Sequence, residues 1–304
     1  MRSCRRVAIS LAAAAMLVSA CTANFSPQPA RHAAPGSALT PQVTSSCRPG
    51  INAAEFWIMN SDELSALQAA DAGAASYGLR SANLFVLEPP GAHSPVGQTV
   101  AYFKSYAAFR RALAQRTIAA GTHWVAYDNE AWQATPQREQ RSPIRYETLF
   151  ANMAHSHGYK VILMPAQDLV PGFSRGSNAW QQYLSLGLAS TSGRLADIYE
   201  IQAQPYELAA FRQAGDFKDF VQQAAAQARA ANPNVVVFAG LSTERVSAPG
   251  ELAQDFAATR GLVSGYWLNI PSARKSAAGT AMAGAFLRTI PAAADSAAKT
   301  CARG

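Results

Sequence analysis

The chain has 304 residues, 49% hydrophobic and 15% charged, with a formal net charge of +7 and four cysteines. No cluster of Lys and Arg stands out along the sequence, which excludes a nucleic-acid footprint of the usual kind. Three arginines (Arg2, Arg5 and Arg6) lie in the first six residues, so a chain that loses its N-terminus drops from +7 to +4.

Those arginines precede an apolar run from Val7 to Val18 that is too short to span a bilayer. A basic stretch followed by a short apolar one is a targeting signal, expected over residues 1–20. Val18-Ser19-Ala20-Cys21 then resembles a bacterial lipobox. The resemblance implies cleavage before Cys21, its acylation (palmitate among the chains), and a bacterial lipoprotein held on the outer side of the cell membrane. Several acyl chains anchor stably where one does not. Residues 21–46 carry Pro27, Pro29, Pro35 and Pro41 with no hydrophobic period, and read as the lipidated cysteine and a flexible tether.

The folded domain is expected over residues 47–304. Its roughly 255 residues match the usual size of one α/β barrel. Strand one is Phe56–Asn60, and Ser61 caps a helix whose first turn holds Asp62 and Glu63. Strand two, Leu84–Glu88, stops at Pro89-Pro90; strand three is Val100–Phe103. A helix through Phe109, Ala112, Leu113 and Arg116 ends at Gly121. The stretch Thr122–Trp132 holds strand four, with Trp124, Ala126, Asp128 and Glu130 on one face. Ser142-Pro143 starts a helix that Gly158 closes. Strands five to eight are Val161–Pro165, Ile198–Gln202 continuing to Gln204, Val235–Ala239 and Tyr266–Ile270. Eight strands alternating with helical patterns predict a (β/α)8 TIM barrel, with an open doubly wound sheet as the alternative if strand three fails. No glycine-rich phosphate loop follows any strand.

In such a barrel the C-terminal strand ends share one face, where chemistry sits. Collected there are Asn60, Glu88, Asp128, Glu130, Gln167, Asp168, Gln202, Gln204, Tyr206, Ser242, Thr243, Trp267 and Asn269, with Trp132 entering from the loop after strand four. Acids, amides and aromatic rings together suit a carbohydrate: carboxyls act on the glycosidic centre, amides bond hydroxyls and rings stack on sugar faces. Polar strand ends are also ordinary in any fold. His155 and His157 fall on the opposite face, so no metal is expected there, and no cofactor is called for. No Gly-x-Ser-x-Gly elbow or Cys/His nucleophile pair is present.

The Asp-x-Glu pair ending strand four, the Gln/Tyr cluster at strand six and the tryptophan in strand eight resemble family 18 glycoside hydrolases, the chitinase-like barrels. The resemblance implies Glu130 as general acid and Asp128 as its helper, orienting the substrate's acetamido group as nucleophile. It implies Gln202, Gln204, Tyr206, Trp267, Asn269 and Trp132 as sugar contacts, with Tyr206 and Trp267 flanking the ring. The family's fuller pattern has acids and glycine upstream, where this chain has His123, Trp124 and Ala126. That departure motivates the alternative of a non-catalytic glycan- or ligand-binding barrel. Residues two apart on a strand sit about 6.6 Å apart and approach a ligand from one side. A two-carboxylate hydrolase would need another acid, for which Glu200 and Asp168 are the candidates. Glu200, deeper in its strand, could instead be a buried partner of an Arg or Lys. A monomer is expected, with a carbohydrate or other small polar ligand and the membrane as partners.

Cys4 leaves with the signal and Cys21 is the lipid site, so Cys47 and Cys301 remain, one at each end of the domain. Exported cysteines left over in this way usually pair. A closed barrel sets its first strand beside its last. Closing so long a loop is worth roughly 5 kcal/mol in the chain-entropy model. Thiol titration of the exported, denatured protein should find neither cysteine free, and Cys47→Ser should lower the melting temperature. Two reactive thiols would remove the disulfide.

Overall fold

The computed structural model describes residues 55–79, 81–171, 179–271 and 277–290. Eight strands carry the fold: β1 (Phe56–Asn60), β2 (Leu84–Glu88), β3 (Gln98–Phe103), β4 (Trp124–Tyr127), β5 (Lys160–Leu163), β6 (Ile198–Ile201), β7 (Val236–Ser242) and β8 (Gly265–Asn269). Each pairs in parallel with the next, and β1 pairs with β8, closing the ring. The expected (β/α)8 barrel is therefore present. Cys21, Cys47 and Cys301, with the signal and tether, lie outside the described residues.

The helices are α1 (Ser61–Ala70), α2 (Ala72–Gly78), α3 (Tyr106–Gln115), α4 (Gln137–Gln140), α5 (Pro143–Ser156), α6 (Ala179–Ser185), α7 (Leu188–Leu195), α8 (Ala209–Ala214), α9 (Asp216–Ala231), α10 (Pro249–Thr259) and α11 (Ala277–Leu287). The eight-helix pattern departs from expectation in one place. β2 and β3 are joined by residues 89–97 with no helix between them. Pro89-Pro90 stops β2 and leads into a turn closed by the Ala92 N–H on the Pro89 carbonyl (3.0 Å), and Gly91 (φ 93°) and Gly97 (φ 68°) take backbone positions open to glycine.

Helix ends follow local chemistry. Asn60, not Ser61, is the N-cap residue of α1, and its N–H donates to Glu63 Oε2 at 3.4 Å. Ser105 Oγ accepts the Ala108 N–H at the start of α3 (3.1 Å). That helix ends at Gln115, well before Gly121, because Arg116 itself takes the left-handed position, φ 54°. Pro143 opens α5 as its sequence position predicts.

Period two sorts each strand into an inward and an outward face. Ile58, Phe85, Leu87, Val100, Ala126, Ile162, Ile198 and Phe238 fill the barrel interior. Outward residues pack under the helices. Phe150 of α5, for example, lies 4.8 Å centroid to centroid from Tyr127 of β4 and 4.4 Å from Phe109 of α3. The α7–α9 contact depends on a missing side chain: a Cβ on Gly193 would stand 2.5 Å from the Cα of Ala228. Gly193→Ala must push these helices apart, and should cost about 1–3 kcal/mol in chemical denaturation. A change within experimental error would show that the two helices are not in this close contact.

Candidate active site at the C-terminal rim

The rim after the strands holds a cavity of about 730 Å³, within the range of small-ligand sites. Asp128, Glu130, Trp132, Gln202, Gln204, Trp267 and Asn269 all line it. The strand-four alternation persists past the end of β4. The Asp128 N–H donates to the Phe103 carbonyl (2.9 Å), and the Ala166 N–H to the Asn129 carbonyl (2.9 Å). Backbone pairing on both sides thus keeps residues 128–130 extended, and Asp128 and Glu130 stay on the inner face.

Asp128 is 1% exposed. Tyr102 on β3 donates its hydroxyl to Oδ2, and Gln202 Nε2 donates to Oδ1 at 2.7 Å. Gln202 is itself held, donating to the Met164 carbonyl (2.8 Å), while its own carbonyl accepts from Gln167 Nε2 (2.8 Å). Burial pushes the Asp128 carboxyl up; Tyr102, a hydrogen bond to Glu130, Lys104 and Gln202 pull it back. Glu130 is pushed up by burial and then further by the charges of Asp128 and Asp168 and by the hydrogen bond with Asp128. Both carboxyls are raised, and the larger set of donors and the Lys104 charge act on Asp128, which leaves Glu130 the more strongly raised of the two.

The loop after Glu130 is fixed from several sides. Asp168 Oδ1 accepts the Ala131 N–H (2.9 Å). Trp132 Nε1 donates to Thr135 Oγ1 (2.7 Å), and that hydroxyl donates to the Lys104 carbonyl (2.7 Å). Lys104 Nζ lies 4.3 Å from the centre of the Trp132 ring, a cation–π contact inside the cavity. Glu139, fully buried, accepts the N–H groups of Tyr106 (2.7 Å) and Ala107 (3.1 Å) and the Tyr127 hydroxyl (2.9 Å). The far end of the loop is thereby tied to the N-terminus of α3.

Two expectations need correction. Tyr206 does not line the cavity. β6 ends at Ile201, and a 3-10 turn over Gln204–Glu207 sends the Tyr206 ring outward, 5.5 Å from Phe211 and 5.6 Å from Phe220. Glu200 is not a second site acid and has no Arg or Lys partner among the described residues. It is fully buried in the barrel, both oxygens lack a hydrogen bond, and burial pushes its carboxyl well above the usual range. The loop after β5 is not bare either: it contains α6, whose Trp180 donates to Asp216 Oδ1 (3.0 Å).

Gln204 does reach the rim, lying over Gly240, where any Cβ would collide with its amide. His155, on the opposite face, pairs with Asp197 (3.1 Å). No group of three or more His, Cys, Asp or Glu suited to a metal occurs among the described residues.

The sequence reading missed Tyr102, Lys104, Glu63 and Arg245 as cavity residues. Tyr102 was accessible to it, being two residues on from inward Val100. Glu63 reads as a helix-start acid, yet it is 5% exposed and burial pushes its carboxyl up to about 7.

No protein-family model matches the chain, and no curated protein sequence matches it. Among solved structures, the chain is similar to a curdlan-specific exo-β-1,3-glucanase of glycoside hydrolase family 128 (subgroup III) from Blastomyces gilchristii, solved with glucose. Identity is 17%, the TM-score 0.48, and the match covers 80% of this chain and 100% of that one. It is also similar to a Schiff-base-forming fructose-1,6-bisphosphate aldolase at 10% identity and TM-score 0.40, covering 78% of this chain and 94% of that one. At these levels the likeness adds nothing to what the strand pairing establishes, and the site must be understood from its own residues.

Proposed function

We propose that this barrel acts on glycans, with Glu130 as general acid and Asp128 as the charged group beside it. One observation carries the reading: two carboxyls share a cavity wall, and the donors Tyr102 and Gln202 hold the charge on Asp128. A carboxylic acid kept protonated at neutral pH is what protonation of a glycosidic oxygen needs. Trp132 and Trp267 supply apolar faces for sugar rings, and Gln204 and Asn269 supply amides for hydroxyls.

Because the pair stands on one side, the mechanism it suits best recruits its nucleophile from the substrate. Glu130 gives its proton to the leaving oxygen as the bond from C1 breaks. The carbonyl oxygen of a 2-acetamido group closes on C1 from the other face, with its N–H toward ionised Asp128. Water, giving a proton back to Glu130, then opens the ring. Asp168 and Glu63 also line the cavity, and β1, which carries the chain to Glu63, lies three strands round the barrel from β4. An acid from that direction would serve a substrate without an acetamido group. The lipobox supports export and anchoring through Cys21, which would hold the cavity outside the cytoplasm near the membrane.

The test is release of reducing ends from chitin oligosaccharides and from neutral polysaccharides. Glu130→Gln should lower kcat by about 10²–10⁴ with little change in KM. The rate should rise with pH as Asp128 ionises and fall as Glu130 ionises, with both limbs above the free-carboxyl range. Tyr102→Phe removes a donor to ionised Asp128 and should move the acid limb up. Full activity in Glu130→Gln would sink the assignment. Binding without turnover, unchanged by that substitution, would favour the non-catalytic alternative.

A further inference from the structure

The arginines that the sequence leaves scattered are gathered by the fold. α3 and α5 lie side by side, with the Tyr106 and Tyr146 rings 5.9 Å apart. The Arg110 guanidinium sits 5.8 Å from the first ring and that of Arg145 5.9 Å from the second. Arg111 projects from α3, and Arg138 and Arg141 from α4 and the turn into α5. All five are exposed, and none forms an ion pair among the described residues. Every acid between residues 104 and 160 is turned away from this wall. Asp128 and Glu130 line the cavity, while Glu139 and Glu147 are fully buried. The exposed acids Asp62, Asp219 and Glu244 belong to other parts of the barrel.

The wall also carries apolar tips. Two of the four exposed large hydrophobics among the described residues, Ile144 and Leu149, stand on α5. Arg145 and Leu149, four residues apart on α5, share a stripe of that helix.

We propose that the α3–α5 wall docks on an anionic phospholipid surface. Guanidinium groups pair bidentately with phosphate oxygens. Aliphatic tips between them reach the boundary of the acyl chains. A nucleic acid would engage the arginines but leave Ile144 and Leu149 without a role. Docking along a helical wall leaves the strand-end rim open, so a bound barrel keeps its cavity accessible. The proposal does not depend on catalysis. Anchoring at Cys21 would strengthen it by raising the local concentration of lipid.

The experiment uses the mature chain from residue 21 carrying Cys21→Ser, so that no acyl chain contributes. Sedimentation with vesicles of equal phosphatidylglycerol and phosphatidylcholine is compared with pure phosphatidylcholine, at about 0.1 M salt where exposed charges still act over roughly 10 Å. Each arginine near an anionic surface is worth about a fivefold change in partition. Arg110→Glu with Arg145→Glu should therefore lower binding to the anionic vesicles more than tenfold. Ile144→Ser with Leu149→Ser should weaken it, and Lys218→Glu on α9 should leave it unchanged, with all melting temperatures alike. Equal sedimentation with both vesicle types, no sedimentation, or full binding by the charge-reversed protein would overturn the proposal. Binding to duplex DNA without binding to vesicles would overturn it in favour of a nucleic-acid partner.

Discussion

A carboxylate removed from water keeps its charge only where donors replace the lost solvent. Asp128 meets that condition through Tyr102 and Gln202, one from the strand before it and one from beyond the end of β6. The arrangement needs three strand ends at fixed heights, and barrel closure supplies them. Gln202 is pinned through Met164 and Gln167, so the two loops after β5 and β6 are part of the same clamp. Glu130 is then placed beside a carboxyl that already holds the negative charge. Its carboxyl is raised the more of the two, because most of the donors serve its neighbour.

A second buried acid organises the loop that follows. Glu139 is as deeply buried as Asp128, and three donors satisfy it: two backbone N–H groups opening α3 and the Tyr127 hydroxyl. A carboxylate at a helix N-terminus also meets the positive end of the helix dipole. Trp132 is fixed between Thr135 and the Lys104 ammonium. A rigid loop places an aromatic face beside the acid pair, which a mobile one could not do. Glu200 and Glu147 are the contrast. Few or no donors reach them, and burial lifts both, Glu147 to about 8. Such groups cost stability as pH rises above the ordinary carboxyl range, because the unfolded chain ionises first.

Much of this was legible in the sequence. β1 and β2 have the bounds their apolar runs predict, and even the uncertain third strand is present, extended by Gln98 and Thr99. Period two and turn residues are local signals, and the barrel obeys them. The Asp128/Glu130 address followed from the same alternation. What failed was non-local. Tyr206 continues the strand-six pattern in sequence, but Pro205 lies in a 3-10 turn that sends its ring among Phe211 and Phe220. Glu200 lies deep in its strand as its position implies, but whether an Arg or Lys meets it there depends on the other strands, and among the described residues none does. The arginine wall spans residues 110 to 145 and becomes a surface only when α3 and α5 pack together. Lys104 follows inward Tyr102 at period two just past β3, whereas Arg245 reaches the cavity from a loop whose course no periodicity describes.

The account turns on where one proton resides. Infrared spectroscopy through a pH titration reads it directly, since a protonated carboxyl and a carboxylate absorb at different frequencies. Glu63, Glu147 and Glu200 contribute bands of their own, so the difference between the wild type and Glu130→Gln isolates the group in question. At neutral pH that difference should contain a protonated carboxyl band lost with Glu130, while Asp128→Asn removes a carboxylate band. A carboxylate band lost with Glu130→Gln at neutral pH would contradict the assignment of the acid.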